Sequence, residues 1–423
     1  MNLLINIIKS ISGAIIEPPM IFILIILAMV LYSKNRKISV MQKLILGDSV
    51  NSSIELTLSQ IVLGIFAGGL GSIILNFLGV VFYSNSGIVY LFLISIILMF
   101  INPRLICFSY SGALLGLISI FEEIILTNSS ILSGLGDINI MHLMIFIGVM
   151  HVVEGILVMI DGSRGAVPVF TNRDDKILGG YVLKRYWILP ISFIIMISGT
   201  DFNNNYIEIT EFPNWWPLIG SGIAALSAAV LMPFYGMIGY SSITFTRNKR
   251  EKAFISGCCI FLYGIILILI SQFASIGLIG EVIVVICAPV LHEFMLKIQR
   301  INEENREARF VSDDEGLVIL EVIPGCELSN QGVKCGDKII SVNNKKISCE
   351  SEIYTLLKKS LYQIDICIKT KTGDLKHILV KHNKKKRIGV LLVPAKVKED
   401  EIIEVKDKDF KSVLKEAKEK DIE

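Results

Sequence analysis

Apolar runs too long and too closely spaced for an ordinary soluble core fill most of this chain before Lys297. They fall at Pro19–Tyr32, Thr57–Phe82, Gly87–Ile101, Leu105–Leu126, Asn139–Ile160, Tyr186–Ser198, Trp216–Tyr240, Ala253–Ser271 and Ile276–Leu291. A bilayer core about 30 Å thick needs roughly 20 apolar residues per helix, so several runs are full-length spans and others are short. Residues Met1–Ile16 are either an interfacial helix or a short span turning back at Glu17-Pro18-Pro19. Composition agrees, with 52% hydrophobic and 19% charged residues among 423, where a soluble domain is about a quarter charged. No small-residue cleavage site follows the first segment, so no cleavable signal peptide is expected. The expected fold is a polytopic α-helical membrane domain of about eight to ten spans over residues 1–296, followed by a small α+β domain.

Loop charges give an orientation. Lys34, Arg36, Lys37 and Lys43 follow the first span, then Arg104, then Arg164, Arg173, Lys176, Lys184 and Arg185. Arg247, Lys249, Arg250 and Lys252 come next, and Lys297 and Arg300 follow the last span. The intervening loops lack Lys and Arg, which is the positive-inside pattern and predicts a cytoplasmic C-terminal part. Trp215 and Trp216 then belong to the outer interface. The basic loop Asp161–Arg185, rich in Gly and aromatic residues, suits lipid headgroups or a protein partner, or simply anchors the topology. The net charge of +2 gives no support for nucleic-acid binding. The eight cysteines form no CxxC pair and read as buried free thiols in a reducing compartment.

From Phe310 to about Pro394 the apolar runs become short and alternating. Gly316-Leu317-Val318-Ile319-Leu320-Glu321-Val322-Ile323-Pro324-Gly325 precedes Gly332-Val333-Lys334-Cys335-Gly336-Asp337-Lys338-Ile339-Ile340-Ser341-Val342-Asn343. This succession resembles the core of bacterial PDZ domains: a strand, a tight turn, a short helix and a Gly-Asp-led strand. Residues 297–309 then form a charged linker, 310–395 the PDZ-like domain and 396–423 a charged tail, which is solvated unless Phe410, Val413 and Leu414 form an amphipathic helix. PDZ recognition is strand addition: an extended peptide pairs with an exposed sheet edge beside a helix. Arg387, Ile388, Gly389, Val390 and Leu391 are the candidate peptide-binding turn and strand, and Ile353, Leu356 and Leu357 the candidate helical wall.

Catalytic patterns are incomplete. A site-2-type membrane protease needs two His one helical turn apart with an intervening Glu, so that zinc is held and water activated. Here His292-Glu293-Phe294-Met295-Leu296 has Leu at the second imidazole position, and Ile160-Asp161-Gly162, resembling that family's third-ligand motif, precedes rather than follows it. Zinc would have too few ligands, so no metal, cofactor or catalytic residue is expected. His151 and Glu154, at i and i+3, form either a membrane-embedded ion site or a structural pair, the latter being expected. His142 is expected at an interface, and Gly68-Gly69-x-Gly71 at a close helix contact. Transport finds little support, since no set of broken helices with facing polar groups is evident.

The architecture, with the span His151-x-x-Glu154-Gly155 leading into Pro168, Gly179-Gly180-Tyr181 and Trp187-x-x-Pro190, resembles the MinJ-type cell-division proteins of Gram-positive bacteria. That resemblance implies a multi-pass cell-membrane protein enriched at poles or septum. It implies a non-enzymatic scaffold bridging a DivIVA-type scaffold and a MinD-type division inhibitor, with a homo-oligomer compatible. A regulatory PDZ protein of a protease or sensor pathway is the alternative, and a divergent metalloprotease the remote one.

Overall fold

The computed structural model describes residues 2–18, 20–47, 50–84, 86–101, 107–125, 138–173, 176–198, 207–209, 211–219, 227–347, 352–353, 355–356, 363–381 and 388–395. Two compact units form, Met1–Val169 with Gly180–Glu307, and Phe170–Gly179 with Ala308–Glu423. The tail residues Phe410, Val413 and Leu414 lie outside the described residues.

The first unit holds helices α1 (Asn2–Ile16), α2 (Met20–Leu46), α3 (Ser53–Leu78), α4 (Val89–Ile101), α5 (Phe108–Ile125), α6 (Ile140–Asp161), α7 (Lys249–Ile270) and α8 (Leu278–Glu304). Strands β1 (Val81–Tyr83), β4 (Ile207–Glu208) and β5 (Ser227–Thr244) lie among them, with the first residues of β2 (Val167–Arg173) and all of β3 (Lys176–Ser198) from Gly180 onward. Among the described residues, α3, α6, α7 with its short continuation to Ile276, and α8 are the 4 helices long and apolar enough to cross a membrane. Counting the bent pair α1 and α2 as one span raises this to 5, so the expectation of eight to ten spans is corrected downward.

Two expected spans are strands instead. Tyr186–Ser198 falls within β3, and the described C-terminal part of Trp216–Tyr240 falls within β5. Ile188, Ile191, Ile194, Ile195 and Ile197 are stiff at χ1 and favour extended backbone, and Pro190 and Pro233 would break a helix. β3 is buried from Trp187 through Ile197, so both faces are apolar and no period-two alternation marks it as a strand. It pairs antiparallel with β5 from Tyr181↔Thr244 to Ser198↔Ser227, and parallel with β1 at Val81↔Ile194 through Tyr83↔Met196.

Such a strand survives among apolar helices only if its backbone polar groups are satisfied by protein. Helix α3 does this directly. Ser72 Oγ accepts from the Ser192 N–H at 2.8 Å, and Asn76 Nδ2 donates to the Ser192 carbonyl at 2.8 Å. A Cβ at Gly64 would lie 2.0 Å from the Ile188 carbonyl oxygen, and one at Gly68 2.2 Å from that of Pro190. Of the glycines expected at a close helix contact, Gly68 meets this strand instead, while a Cβ at Gly71 would lie 3.3 Å from the Val153 side chain of a neighbouring helix. Asn76→Ala strands the Ser192 carbonyl and should cost about 1–3 kcal/mol. Thermal unfolding in detergent checks this, and an unchanged midpoint would mean that the carbonyl is satisfied otherwise.

Helix α6 is the buried centre of the unit, enclosed over most of its length. It runs antiparallel to α7 at backbone contact distance. Cβ atoms at Gly148 and Gly155 would come within 2.8 and 2.7 Å of the carbonyl oxygens of Gly264 and Gly257, respectively. Both glycine pairs are spaced by seven residues, two helical turns, so each lies on one face of its helix. His142, expected at an interface, is buried instead and bonds the Val81 carbonyl through Nδ1 at 2.8 Å.

At the end of α6, Asp161 is buried against Arg185, which is fully enclosed. Arg185 Nε donates to Asp161 Oδ2 at 2.9 Å and Nη2 donates to the same oxygen. Trp187 Nε1 donates to that oxygen at 3.0 Å, and Arg185 Nη2 reaches Ser59 Oγ at 2.8 Å. Arg185 belongs to the basic loop expected to face lipid or a partner, or simply to anchor the topology. Its partners are internal because β3 begins before it and carries it under α3 and α6.

The second unit contains β6 (Phe310–Val311), β7 (Leu317–Val322), α9 (Glu327–Asn330), β8 (Lys338–Val342), β9 (Lys345–Lys346), β10 (Gln363–Lys369), β11 (Leu375–Lys381) and β12 (Val390–Leu392). Its sheet runs β11-β10-β8-β7-β12, with β9 paired to β8. Leu317, Ile319, Ile339, Ile364, Ile366 and Leu392 belong to its buried core. Asn343 and Asn344, at φ 49° and 60°, form the β8–β9 hairpin turn, whose geometry needs positive φ at both central residues. Asp337 of the Gly-Asp pair accepts from Lys334 N at 2.9 Å and Lys371 N at 3.2 Å, tying two turns together. Burial pushes the Asp313 carboxyl up, but Lys338, at 2.5 Å, and the Gly316 and Glu315 N–H groups outweigh it and hold it below its ordinary value. That contribution is present above the unfolded carboxylate range and fades as pH falls through the lower folded value. Solvent exposure keeps it small.

Candidate functional site

The residues assigned to peptide capture lie in the second unit. Ile388 and Val390 point into the core, and Leu391 is buried outside that cluster. Ile353 is fully buried in the core and Leu356 packs against it partly buried, so Ile353 is a core residue rather than a ligand contact. Arg387 and Leu357 lie outside the described residues. Gly389 adopts φ +81°, a conformation that L side chains rarely adopt, and its carbonyl accepts from Ile323 N at 2.8 Å.

Among the described residues β12 pairs with β7 alone. The register Val390↔Val322 and Leu391↔Glu321, with Ile323 N on Gly389 O and Val393 N on Val318 O, commits Gly389, Leu391 and Val393 to β7. By the alternation of an antiparallel ladder, the N–H and C=O of Val390 and Leu392 face away from β7, although both residues are buried. Pairing on one side only is the arrangement that main-chain peptide recognition by strand addition starts from.

A second cluster lies in the first unit. Cys107, just before α5, has its Sγ 3.0 Å from His151 Nε2 on α6 and 3.5 Å from His292 Nε2 on α8. These three ligand atoms lie within 4.8 Å of one another, and both imidazoles are buried. Glu154 Oε2 is 4.0 Å from His151 Nε2. Around them, His151 Nδ1 faces the Ile147 carbonyl at 2.8 Å. His292 Nδ1 faces Tyr110 Oη at 3.1 Å, and that hydroxyl donates to Glu293 Oε1 at 2.5 Å. Ser109 Oγ bridges His151 Nε2 at 3.2 Å and Tyr263 Oη at 2.7 Å. Tyr263 Oη in turn donates to the Ala288 carbonyl at 2.8 Å.

The expectation that His292 lacks enough fellow ligands counted residues one helical turn away. The fold supplies them from α6 and from the segment before α5 instead. Asp161, the candidate third ligand by motif, is bonded to Arg185 and Trp187 and is not among the three clustered ligands. Cys107, Ser109, Tyr110 and Tyr263 were invisible as a set, because they are ordinary polar residues of two apolar runs far apart in the chain. The available signal was that ionisable residues in apolar helices are costly and so seldom incidental.

No protein-family profile matches this chain, and no solved structure matches it. Among curated proteins, it is 21% identical over 238 residues to the cell division topological determinant MinJ of Bacillus subtilis (strain 168). The match covers 55% of this chain and 56% of that protein, so the chain spans about half the length of the relative. The relationship to MinJ is distant.

Proposed function

We propose that this chain is a membrane-embedded adaptor that helps place cell-division proteins, capturing an extended segment of a partner on the side of β12 that faces away from β7, in a PDZ-like second unit. The carrying observation is β12 itself, paired on one side among the described residues and preceded by the positive-φ Gly389, in a sheet of order β11-β10-β8-β7-β12. The distant relationship to a topological determinant supports the division role, and the four long apolar helices support residence in the cell membrane as a multi-pass protein. By resemblance the partners are a DivIVA-type scaffold and a MinD-type division inhibitor, and the places of enrichment are poles or septum. In this proposal the chain acts as an adaptor, without catalysis. Each main-chain hydrogen bond contributes about 1 kcal/mol net, so single contacts should be micromolar and reversible. Confinement to the membrane would then raise occupancy through effective concentration.

In-cell crosslinking followed by pull-down, comparing the full chain with a version ending at Arg300, tests this. Division proteins should be enriched on the full chain and lost from the shortened one. A fluorescent fusion should concentrate at septum or poles. Uniform membrane signal throughout the cell cycle, with the same crosslinked set on both versions, would sink the proposal.

A further inference from the structure

We propose that Cys107, His151 and His292 bind one zinc ion through Sγ and the two Nε2 atoms, with the Glu154 carboxylate as fourth donor, forming a structural clamp across α5, α6 and α8. Thiolate, imidazole and carboxylate are the donors zinc takes, and four-coordinate tetrahedral geometry is its habit in structural sites. With Zn–N near 2.0–2.1 Å and Zn–S near 2.3 Å, tetrahedral ligand atoms sit roughly 3.3–3.6 Å apart. Of the Sγ–Nε2 separations, 3.5 Å falls within that range and 3.0 Å about 0.3 Å short of it. Glu154 Oε2, 4.0 Å from His151 Nε2 but outside the group of three atoms that lie within 4.8 Å of one another, would turn inward to close the shell.

The surrounding bonds orient the ligands as metal sites do. A ligating histidine commonly donates its other ring N–H to a carbonyl, carboxylate or water, which fixes the tautomer and aims the free lone pair at the ion. His151 does this through Nδ1 to the Ile147 carbonyl. His292 Nδ1–H donates to Tyr110 Oη, whose own proton goes to Glu293, a relay ending on a carboxylate. Both Nε2 lone pairs are thereby left facing Cys107 Sγ. On binding, the thiol gives up its proton to solvent and the ion takes its place among the three atoms.

Zinc is preferred over copper on the same grounds. Two imidazoles and a thiolate also suit copper electron-transfer sites, but those use a weak axial thioether or neutral oxygen. Here the neutral Ser109 Oγ lies 3.2 Å from His151 Nε2 and the Glu154 carboxylate 4.0 Å from the same nitrogen, and an available carboxylate favours the harder, redox-inactive ion. Three ligands from distant positions, 107, 151 and 292, would hold together helices that the chain connects only through long excursions. This zinc site is independent of the adaptor reading, because it lies wholly in the first unit.

The test uses the full chain in detergent, purified on a tag without histidine from zinc-supplemented cells. Elemental analysis should find about one zinc per chain, the stoichiometry of a single tetrahedral site. Cys107→Ser and His292→Ala should fall to background, and Glu154→Gln should bind about tenfold more weakly. Cobalt added to the metal-stripped protein should give the strong visible bands of a tetrahedral ion and a thiolate charge-transfer band, the latter absent in Cys107→Ser. Should the variants fail to fold, the wild-type chain still decides. Zinc should shield Cys107 from maleimide until a strong chelator is added, read by mass spectrometry at that cysteine. A folded wild-type chain with background zinc, no cobalt bands and unprotected Cys107 would overturn the proposal, as would stoichiometric copper in place of zinc.

Discussion

Arg185→Ala should destabilise the first unit by about 3–5 kcal/mol, because it leaves the buried Asp161 carboxylate without its cation. Asp161 keeps Trp187 Nε1 and the half-exposed Arg164 nearby, with Arg164 Nε 3.4 Å from Oδ1, but loses both guanidinium bonds to Oδ2. Arg185 also gives up Ser59 and its approach to the Leu56 carbonyl, so the start of α3 loosens with it. The effect should appear as reduced accumulation in the membrane and a lowered unfolding midpoint in detergent. The double substitution Asp161→Leu with Arg185→Met should recover most of the loss, since an apolar pair of similar bulk avoids desolvating two charges. A single Arg185→Ala change within about 0.5 kcal/mol of the parent, the size of an ordinary surface substitution, would mean that the pair is open to water.

Two adjacent glycines on α3 should respond in opposite directions to the same added methyl group. At Gly68 a Cβ meets the backbone of Pro190, with the carbonyl oxygen 2.2 Å and the nitrogen 3.0 Å away. Neither atom can rotate aside, so Gly68→Ala must separate α3 from β3 and disturb the Ser72 and Asn76 bonds to Ser192. Overpacking of this kind costs about 1–3 kcal/mol and occasionally more, and Gly68→Ala belongs at or beyond the top of that range. At Gly69 the nearest neighbour of a Cβ is the Ile11 side chain at 3.9 Å, an ordinary contact. Gly69→Ala should therefore be neutral or stabilising by up to about 1 kcal/mol through helix propensity. Equal unfolding midpoints for the two variants would refute the helix-on-strand contact.

Much of this architecture was legible in the residues. Long apolar runs located α3, α6, α7 and α8, because crossing or filling an apolar layer demands unbroken apolar side chains over many turns. The strand–turn–strand order around Gly336-Asp337 was also legible, since turns need particular residues at particular φ values. The strand character of Tyr186–Ser198 was not. A strand buried on both faces loses the alternation that distinguishes it from a helix, and only Pro190 and the β-branched residues hinted otherwise.

What the sequence by itself determined is where apolar surface must be hidden and where the backbone must turn, because hydrophobic transfer and φ restriction act on each residue locally. Tertiary structure alone decided which glycines touch a strand, that Arg185 is enclosed, and that Cys107, His151 and His292 converge. Those outcomes depend on which elements pack together over separations of up to 185 residues, and spacing along a chain does not encode proximity in space.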